Sequence, residues 1–203
     1  MTSTDAFVPN EPAVYGQQTD GKRMFFALPL TEPPAENLQP YQQLCYFKDH
    51  FPGRGRVVPD ANLHLTLAFL GQVTEAQQQQ LLQATDQLTI PAFSVVFNFI
   101  RYWKRSRVIW MGAEQSPPAL LQLAEQLGKI AEATGLPRDT RQYTPHITLK
   151  KNVRQRPVLE NLSPDFHFHF QRFGLYISEA DGPGVRYRLV NQWPLHHASQ
   201  DSP

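Results

Sequence analysis

The alternation of apolar and polar positions divides the chain into short strands and amphipathic helices. Strands are predicted where apolar residues run together or alternate, and helices where they recur every three or four positions. In the first half this pattern predicts, in order, a strand at residues 23–30, a helix at 35–47, a strand at 64–70, a helix from Thr74 to about Leu88, and a strand pair at 93–99 and 107–111. Thr74 with Gln77 is a capping-box signature, and Gly71 is predicted to end the preceding strand.

The second half repeats this order of elements. Ser116 followed by Pro117 predicts an N-cap with proline at the first helical position, and an apolar stripe then continues to Gly135. The elements predicted after this helix are a strand at 146–149, a strand of alternating phenylalanines at 166–170, a turn at 181–184 and a strand at 185–190. The repetition predicts two similar lobes related by a pseudo-twofold axis, with a boundary near residues 100–115.

Two of the predicted strands begin with the same pattern of His, aliphatic residue, Thr and Leu, at residues 64–67 and 146–149. In a strand, His and Thr two positions apart lie on one face while the intervening aliphatic residue points into the core. The simplest interpretation is two core strands that each happen to start with a histidine. Because two similar lobes would bring His64 and His146 to opposite walls of one cleft, we favour a shared site.

A facing pair of imidazoles can remove one proton and supply another near neutral pH. This is the equipment needed to cleave a phosphodiester without a covalent intermediate. Neither motif carries an Asp, Glu or Cys at the spacing of metal ligands, so we expect no metal and no cofactor. The other histidine pairs are assigned to the solvated surface and given no role: His167 with His169, and His196 with His197.

Charge and composition narrow the classes of function. The 203 residues carry 19 Lys and Arg against 18 Asp and Glu, a formal net charge of +1. This balance excludes a protein that holds nucleic acid by bulk electrostatics, but a local cluster of cations can still bind a phosphate or an RNA end. Cys45 is the one cysteine, so an internal disulfide is excluded, and its apolar helical surroundings indicate a buried structural thiol rather than a nucleophile.

The two ends of the chain differ from the part between them. Residues 1–20 and 196–203 are polar and lack periodicity, so we expect flexible tails around a single two-lobed domain at residues 21–195. The chain shows neither a secretory leader nor a run of about 18 apolar residues. We expect a cytoplasmic protein that has no membrane partner and is a monomer.

Four longer segments carry a resemblance to a known family, at residues 22–27, 62–71, 105–110 and 145–149. They resemble the RNA 2′,3′-cyclic phosphodiesterases of the two-histidine phosphoesterase superfamily, also called RNA 2′-5′ ligases. The resemblance implies a bilobal α+β fold with pseudo-twofold duplicated antiparallel sheets, outer helices and a central cleft. It also implies that the protein opens a 2′,3′-cyclic phosphate on RNA ends or nucleotides to a 2′-phosphomonoester.

The resemblance also implies roles for the motif residues. His146 is assigned as the base that activates water and His64 as the acid that protonates the departing O3′, a polarity that the sequence alone leaves open. Thr66 and Thr148 point the same way as the histidines and can hydrogen-bond the nonbridging oxygens of the phosphate. We expect these four residues to be the catalytic group.

One position departs from the family pattern. Five residues after the second histidine, the family usually has an arginine that contacts phosphate, and here the residue is Lys151, preceded by Lys150. Lysine keeps the charge but loses the planar fork that grips two oxygens together. We therefore expect weaker or looser phosphate binding by these lysines, unless Arg154 or Arg156 substitutes for the family arginine.

Substrate recognition is predicted from residue type alone. Aromatic side chains can stack on a terminal base and arginines can steer the RNA backbone. The aromatic candidates are Phe25, Phe26, Tyr102, Trp103 and Tyr143, and the basic candidates are Arg105, Arg107 and Arg141. Of these we assign Phe26, Arg107 and Tyr143 to substrate binding. For any one aromatic residue, core packing or a lid is the alternative role.

Two other functions stay open on the sequence. The same fold could act on other 2′-linked substrates, such as 2′-5′ oligonucleotides, cyclic ADP-ribose phosphates or the two halves of a spliced tRNA. The chain could also be a noncatalytic module that senses a nucleotide or RNA in its cleft. Intact His and Thr residues in both motifs argue against the sensor, because binding alone does not need two titratable groups.

Overall fold

A computed structural model describes residues 21–31, 34–139, 141–155, 157–159 and 162–196. The predicted tail at residues 1–20, most of the predicted C-terminal tail, Arg156 and His197 lie outside this range. The helices are α1 (Ala35–His50), α2 (Glu75–Thr85) and α3 (Pro118–Ala133). The strands are β1 (Lys22–Pro29), β2 (Arg56–Val57), β3 (His64–Val73), β4 (Phe93–Phe97), β5 (Phe99–Trp103), β6 (Val108–Gly112), β7 (His146–Lys151), β8 (Phe166–Phe170), β9 (Arg172–Asp181) and β10 (Gly184–Pro194).

The two histidine strands lie side by side in the middle of the main sheet. Its strand order is β10-β9-β1-β3-β7-β6-β5, with the short strand β2 paired to the end of β7, and every pair is antiparallel. Each lobe has four strands, and β3 and β7 join the lobes through the pairing of Leu65 with Ile147. Strands β4 and β8 form a second, small sheet. The predicted α+β class, with two antiparallel half-sheets and outer helices, is confirmed.

Each lobe contains strands from both halves of the sequence. Strands β5 and β6, which precede α3, pair with the second histidine strand, whereas β9 and β10 return to β1 in the first lobe. The predicted boundary near residues 100–115 is therefore wrong, because neither lobe is one continuous segment. Local periodicity identifies a strand but carries no information about its distant partner.

The local signals at element ends are partly confirmed. The capping box is present, since the Gln77 amide donates to Thr74 Oγ1 over 3.3 Å while the Gln77 side chain accepts from the Thr74 amide. Gly71 does not end its strand: it takes a φ of 72°, which glycine adopts without strain, and β3 continues for two more residues. The N-cap of α3 is Pro117 rather than Ser116, and it provides no side-chain cap.

The hydrophobic core lies between the sheets and the helices. Helix α3 packs against β3, α2 packs against α3, and α1 packs against β8. Cys45, predicted to be a buried structural thiol, is half-buried on α1 and packs against this core. Within the described residues no helix is long and apolar enough to cross a membrane. The His and Thr side chains of the two motifs lie on the opposite face of the main sheet.

Candidate active site

The aliphatic residues in the middle of the two motifs set the geometry of the site. Leu65 and Ile147 pair directly across β3 and β7, and both are fully buried in the core. Since side chains alternate along a strand, His and Thr of each motif lie on the opposite face. Continuing the antiparallel register by one residue in each direction places His64 beside Thr148, and Thr66 beside His146.

Both imidazoles are held in the same way. Nδ1 of His64 lies 2.7 Å from the Asn62 carbonyl oxygen, and Nδ1 of His146 lies 2.9 Å from the Thr144 carbonyl oxygen. A carbonyl can only accept, so each Nδ1 carries the ring proton and donates it. Nε2 is therefore the unprotonated, basic nitrogen of each neutral ring.

The pKa of each histidine is lowered to about 4. Burial is the main cause for both rings, and the positive charge of Lys151 acts on both in the same direction. His64 also responds to the charge of His146, and each carbonyl hydrogen bond opposes the shift. Two histidines that respond to the same lysine share one electrostatic site, and with pKa values of about 4 both rings are neutral at pH 7.

Aromatic rings pack against both imidazoles. The His64 ring lies 5.1 Å from Phe25 and 5.0 Å from Tyr187, measured between centroids. The His146 ring meets the edges of Trp103 at 4.7 Å and Trp110 at 5.9 Å. This packing accounts for the burial that lowers both pKa values.

An irregularity in β7 decides which of two adjacent lysines faces the site. Opposite β6, Lys150 pairs with Ile109 and Thr148 with Trp110, so Leu149 has no partner on that strand. One extra residue in a strand reverses the alternation of the side chains beyond it. Lys151 therefore returns to the face of the histidine, and its charge acts on both imidazoles.

Lys150 points to the other side of the sheet, contrary to its assignment to substrate binding. Its side chain is 5% exposed, and Nζ donates to the carbonyl oxygens of Phe51 at 2.5 Å and Gly53 at 3.2 Å. Burial lowers its pKa. The structure thus gives Lys150 a structural contact with the end of α1 and leaves the site to Lys151.

The assignment of Phe26 to substrate binding is also wrong, because its side chain points to the core side of β1. Phe26 is fully buried in the core, with its ring 5.9 Å from Trp193 and 6.5 Å from Phe173. Phe25, one residue earlier, lies on the face of the site and contacts His64. Two adjacent phenylalanines in a continuous apolar run could not be distinguished without knowing which face each one occupies.

Tyr143 and Arg107 each make a contact with the backbone, and their assignment to substrate binding stays a prediction. The Tyr143 hydroxyl donates to the backbone carbonyl of Thr66 over 2.8 Å, so this side chain supports the first motif strand. Arg107 is exposed in the turn between β5 and β6, with a φ of 54°, and its carbonyl accepts from the Val153 amide. Among the described residues, none of the contacts made by Arg107 involves a histidine of either motif.

Sequence reasoning missed two positioning groups and one wall residue. The Asn62 side chain donates to the Val185 carbonyl over 2.7 Å, which ties the carbonyl that orients His64 to β10. Thr144 supplies the matching carbonyl for His146. A polar residue two positions before each histidine was the available signal. Tyr187 lies in a strand that the sequence predicted, but its contact with His64 depends on the pairing of β10 with β9, which the sequence did not predict.

A pocket of about 210 Å³ opens beside His64. Its wall includes Phe25, Asn62, Arg172, Tyr176, Tyr187 and Gln192. A larger groove of about 660 Å³ follows α1 and contains none of the motif residues. The smaller pocket is the one that adjoins chemistry, because it shares a wall with a histidine whose Nε2 is left for proton exchange.

Metal ligation was considered for the same part of the molecule. Across the described residues, no three side chains of His, Cys, Asp or Glu lie close enough together to hold a metal ion. His167 pairs with Asp165 at 2.9 Å, and His169 lies 3.0 Å from Ser94 Oγ, both away from the motifs. Metal independence stays a prediction.

Comparison with known proteins identifies the family. Residues 31–182 match the family model of the 2′-5′ RNA ligase superfamily. The chain belongs to this superfamily. The match spans both motif strands, so His64 and His146 both lie in the segment that matches the family model.

Two relatives and one solved structure align with this chain over nearly their whole length. The RNA 2′,3′-cyclic phosphodiesterase of Escherichia coli K12 is 33% identical over 178 residues, 87% of this chain and 98% of that protein. The protein of the same name from Methanocaldococcus jannaschii is 26% identical and covers 84% of this chain and 99% of its own. A crystal structure of E. coli LigT complexed with 3′-AMP superposes with a TM-score of 0.77 at 33% identity, over 86% of this chain and 98% of that one.

Proposed function

We propose that this superfamily member hydrolyses 2′,3′-cyclic phosphate ends of RNA, and nucleoside 2′,3′-cyclic phosphates, to 2′-phosphomonoesters without a metal. One observation carries the proposal. Two imidazoles on adjacent strands each donate Nδ1–H to the carbonyl two residues earlier, so that Nε2 is the basic nitrogen of both neutral rings. Relatives named RNA 2′,3′-cyclic phosphodiesterase support the choice of substrate.

The reaction requires two proton transfers across phosphorus. His146 Nε2 takes a proton from water as the water oxygen attacks phosphorus. The bond from phosphorus to O3′ then breaks, and protonated His64 gives its Nε2 proton to the departing O3′. The product has a 2′-phosphate and a 3′-hydroxyl, and exchange with solvent returns each histidine to its starting state.

Binding of the substrate prepares the acid. Burial and the charge of Lys151 lower the pKa of His64 to about 4, so the ring of the free enzyme is neutral near pH 7. A phosphate anion beside the ring favours the charged form and raises this pKa. His64 therefore gains its proton together with the substrate, while Lys151 offsets part of the effect and keeps His146 able to accept.

The remaining groups stabilise the charge that grows on the phosphate. Thr66 and Thr148 alternate with the histidines along the register, so that each hydroxyl lies beside the histidine of the other motif. Hydroxyl donors and the Lys151 ammonium can stabilise the nonbridging oxygens in the transition state. A 5′-hydroxyl attacking in place of water would form a 2′-5′ linkage by the same transfers, which fits the name of the superfamily.

Product analysis tests the proposal. Purified protein is incubated with adenosine 2′,3′-cyclic phosphate and excess EDTA, and the product is identified by chromatography. We expect 2′-AMP. A 3′-AMP product would reverse the oxygen that leaves, loss of activity in EDTA would end metal independence, and no product would favour the other 2′-linked substrates or the sensor. A cytoplasmic location and a monomeric state stay predictions.

A further inference from the structure

The sheet face that carries His64 continues away from the reacting centre across β1, β9 and β10. Met24 pairs with Ile177, so the next pair in this register is Arg23 with Ser178, and Ser178 pairs in turn with Tyr187. Partners across antiparallel strands share a face. Arg23 and Tyr187 thus flank Ser178 in one row, on the face where Phe25 contacts His64.

Tyr187 connects this row to the reacting centre. Its ring packs edge-on against His64 at 5.0 Å and against Phe25 at 4.8 Å. Among the described residues, its hydroxyl has no hydrogen-bond partner. Burial raises the pKa of Tyr187, while the charges of Arg23 and Arg56 oppose the shift, so both guanidinium groups lie within electrostatic reach of the phenol.

Arg56 reaches the same place from the other lobe. Its backbone pairs with Lys151 in β2 and β7, and its Nη1 donates to the Pro183 carbonyl in the turn between β9 and β10 over 2.7 Å. The side chain therefore bridges the two lobes next to the lysine of the site. The other N–H groups of its guanidinium make no bond to any residue that the structure describes.

The charges of Arg23 and Arg56 are not neutralised by the described part of the chain, where neither forms an ion pair. In the hairpin of β9 and β10, by contrast, Arg186 and Arg188 share the carboxylate of Glu179, at 3.5 Å and 2.7 Å. The two faces of the hairpin therefore differ. One face carries the ion pairs of Glu179, and the other carries the Tyr187 phenol, which lies within electrostatic reach of Arg23 on β1 and Arg56 on β2.

We propose that Arg23, Arg56 and the Tyr187 hydroxyl form a second phosphate site, which binds the internucleotide phosphodiester next to the terminal cyclic nucleotide. A guanidinium offers paired donors that match two phosphate oxygens, and the phenol adds a third donor. Lys151 and Arg56 face each other across a strand pair, with Cα atoms about 5 Å apart. Neighbouring phosphates of one strand can therefore occupy the two sites together.

This inference rests on the proposed function and refines its substrate from nucleotides in general to oligonucleotides. A dinucleotide ending in a 2′,3′-cyclic phosphate offers the second phosphodiester, and a mononucleotide does not. The extra charged hydrogen bonds raise kcat/KM for the dinucleotide by about tenfold. The advantage falls with added salt, because both partners are charged and partly solvated.

Three substrates test the second site: adenosine 2′,3′-cyclic phosphate, the adenylyl dinucleotide with the same terminus, and that dinucleotide with an uncharged methylphosphonate linkage. We expect the charged dinucleotide to be favoured and the methylphosphonate to lose the advantage. The ratio of kcat/KM between dinucleotide and mononucleotide should fall towards one in Arg23→Gln, Arg56→Gln and Tyr187→Phe. Arg186→Gln, on the opposite face of the same hairpin, should keep the ratio of the natural protein.

Several results would overturn the second site. Equal kcat/KM for mononucleotide and dinucleotide, an advantage that survives the methylphosphonate, or an unchanged ratio in Arg23→Gln would each do so. If neither cyclic phosphate is hydrolysed, the proposed function fails and binding still decides the inference. A fluorescent dinucleotide with a 3′-phosphate must then bind more tightly than its methylphosphonate analogue, and Arg23→Gln must remove the difference.

Discussion

The two walls of the cleft hold their histidines alike but surround them differently. Each imidazole donates Nδ1–H to the carbonyl two residues earlier. His146 is 6% exposed and lies against two tryptophans, whereas His64 is half-buried between Phe25 and Tyr187, beside a pocket of about 210 Å³. The two lobes thus hold their imidazoles by the same hydrogen bond, but the space beside the two rings differs.

This difference bears on which histidine is the acid. The acid must meet the departing ribose oxygen, which is bulky, and the base has to meet only a water molecule. An imidazole with an aromatic-lined pocket at its side suits the first role, and one enclosed by Trp103 and Trp110 suits the second. The surroundings therefore support His64 as acid and His146 as base.

The largest effect is expected from removing either histidine. His64→Ala and His146→Ala should each lower kcat by at least about a hundredfold. The comparison is sharpened with a substrate in which sulfur replaces O3′, because a thiolate leaves without a proton. His64→Ala should then regain most of its rate, and His146→Ala should not.

Circular dichroism on both variants checks that the fold is intact, and His169→Ala, which removes an imidazole far from the motifs, serves as the matched control. A variant of either motif histidine with a near-normal rate would refute the two-histidine mechanism. Rescue of His146→Ala instead of His64→Ala by the sulfur substrate would exchange the two roles.

A smaller effect is expected at the adjacent lysines. Lys151→Met should lower kcat/KM by about tenfold, because it removes one charged contact with the phosphate. Lys150→Met leaves two buried carbonyls without their donor, so it should lower the free energy of unfolding by about 1–3 kcal/mol. Its kcat per folded molecule should stay at the level of the natural protein. Urea unfolding and steady-state kinetics on both variants would show the opposite pattern if the bulge did not direct Lys151 to the site.

The pH dependence provides the next test. Both histidines have a pKa near 4 in the empty site, below the usual value of 6.5, because burial and Lys151 disfavour the charged rings. The profile of kcat/KM, which reports the free enzyme, should therefore have its maximum on the acid side of pH 6.5. The profile of kcat reports the bound complex, in which the substrate anion raises both pKa values, so its maximum should lie at higher pH. Coincident maxima would contradict the role given to the substrate anion.

The same shifts affect stability. The unfolded chain takes up protons on these histidines below about pH 6.5, whereas the folded protein does so only near pH 4. Stability that is present above pH 6.5 is thus lost as the pH falls towards 4. Urea unfolding at several pH values should show a shallower loss in His146→Gln than in the natural protein.

The sequence predicted the motif pair because its evidence is local. Two identical patterns of period two placed His64, Thr66, His146 and Thr148 on strands, and the structure brings the two strands together. It failed where the face of a strand depends on distant pairing. Both lysines were assigned to phosphate binding, but an irregularity at Leu149 turns Lys150 to the other side of the sheet, and a buried run left the two phenylalanines of β1 undistinguished. Arg56 comes within electrostatic reach of Tyr187 because its side chain reaches the turn before β10, which no local pattern encodes.

The smallest effect is expected at the residues that hold the two rings. Asn62 orients His64 with its carbonyl while its side chain donates to Val185 in β10, and the side chain of Thr144 has no matching bond among the described residues. Asn62→Ala should thus lower kcat by about fivefold, since the loss of one hydrogen bond loosens the backbone carbonyl of residue 62 that orients His64. The limb of the pH profile that reports His64, the acid, should become broader. Thr144→Ala should change neither. Equal effects in the two variants would mean that the backbone alone holds both rings, and the asymmetry of the cleft would then lie only in its aromatic walls.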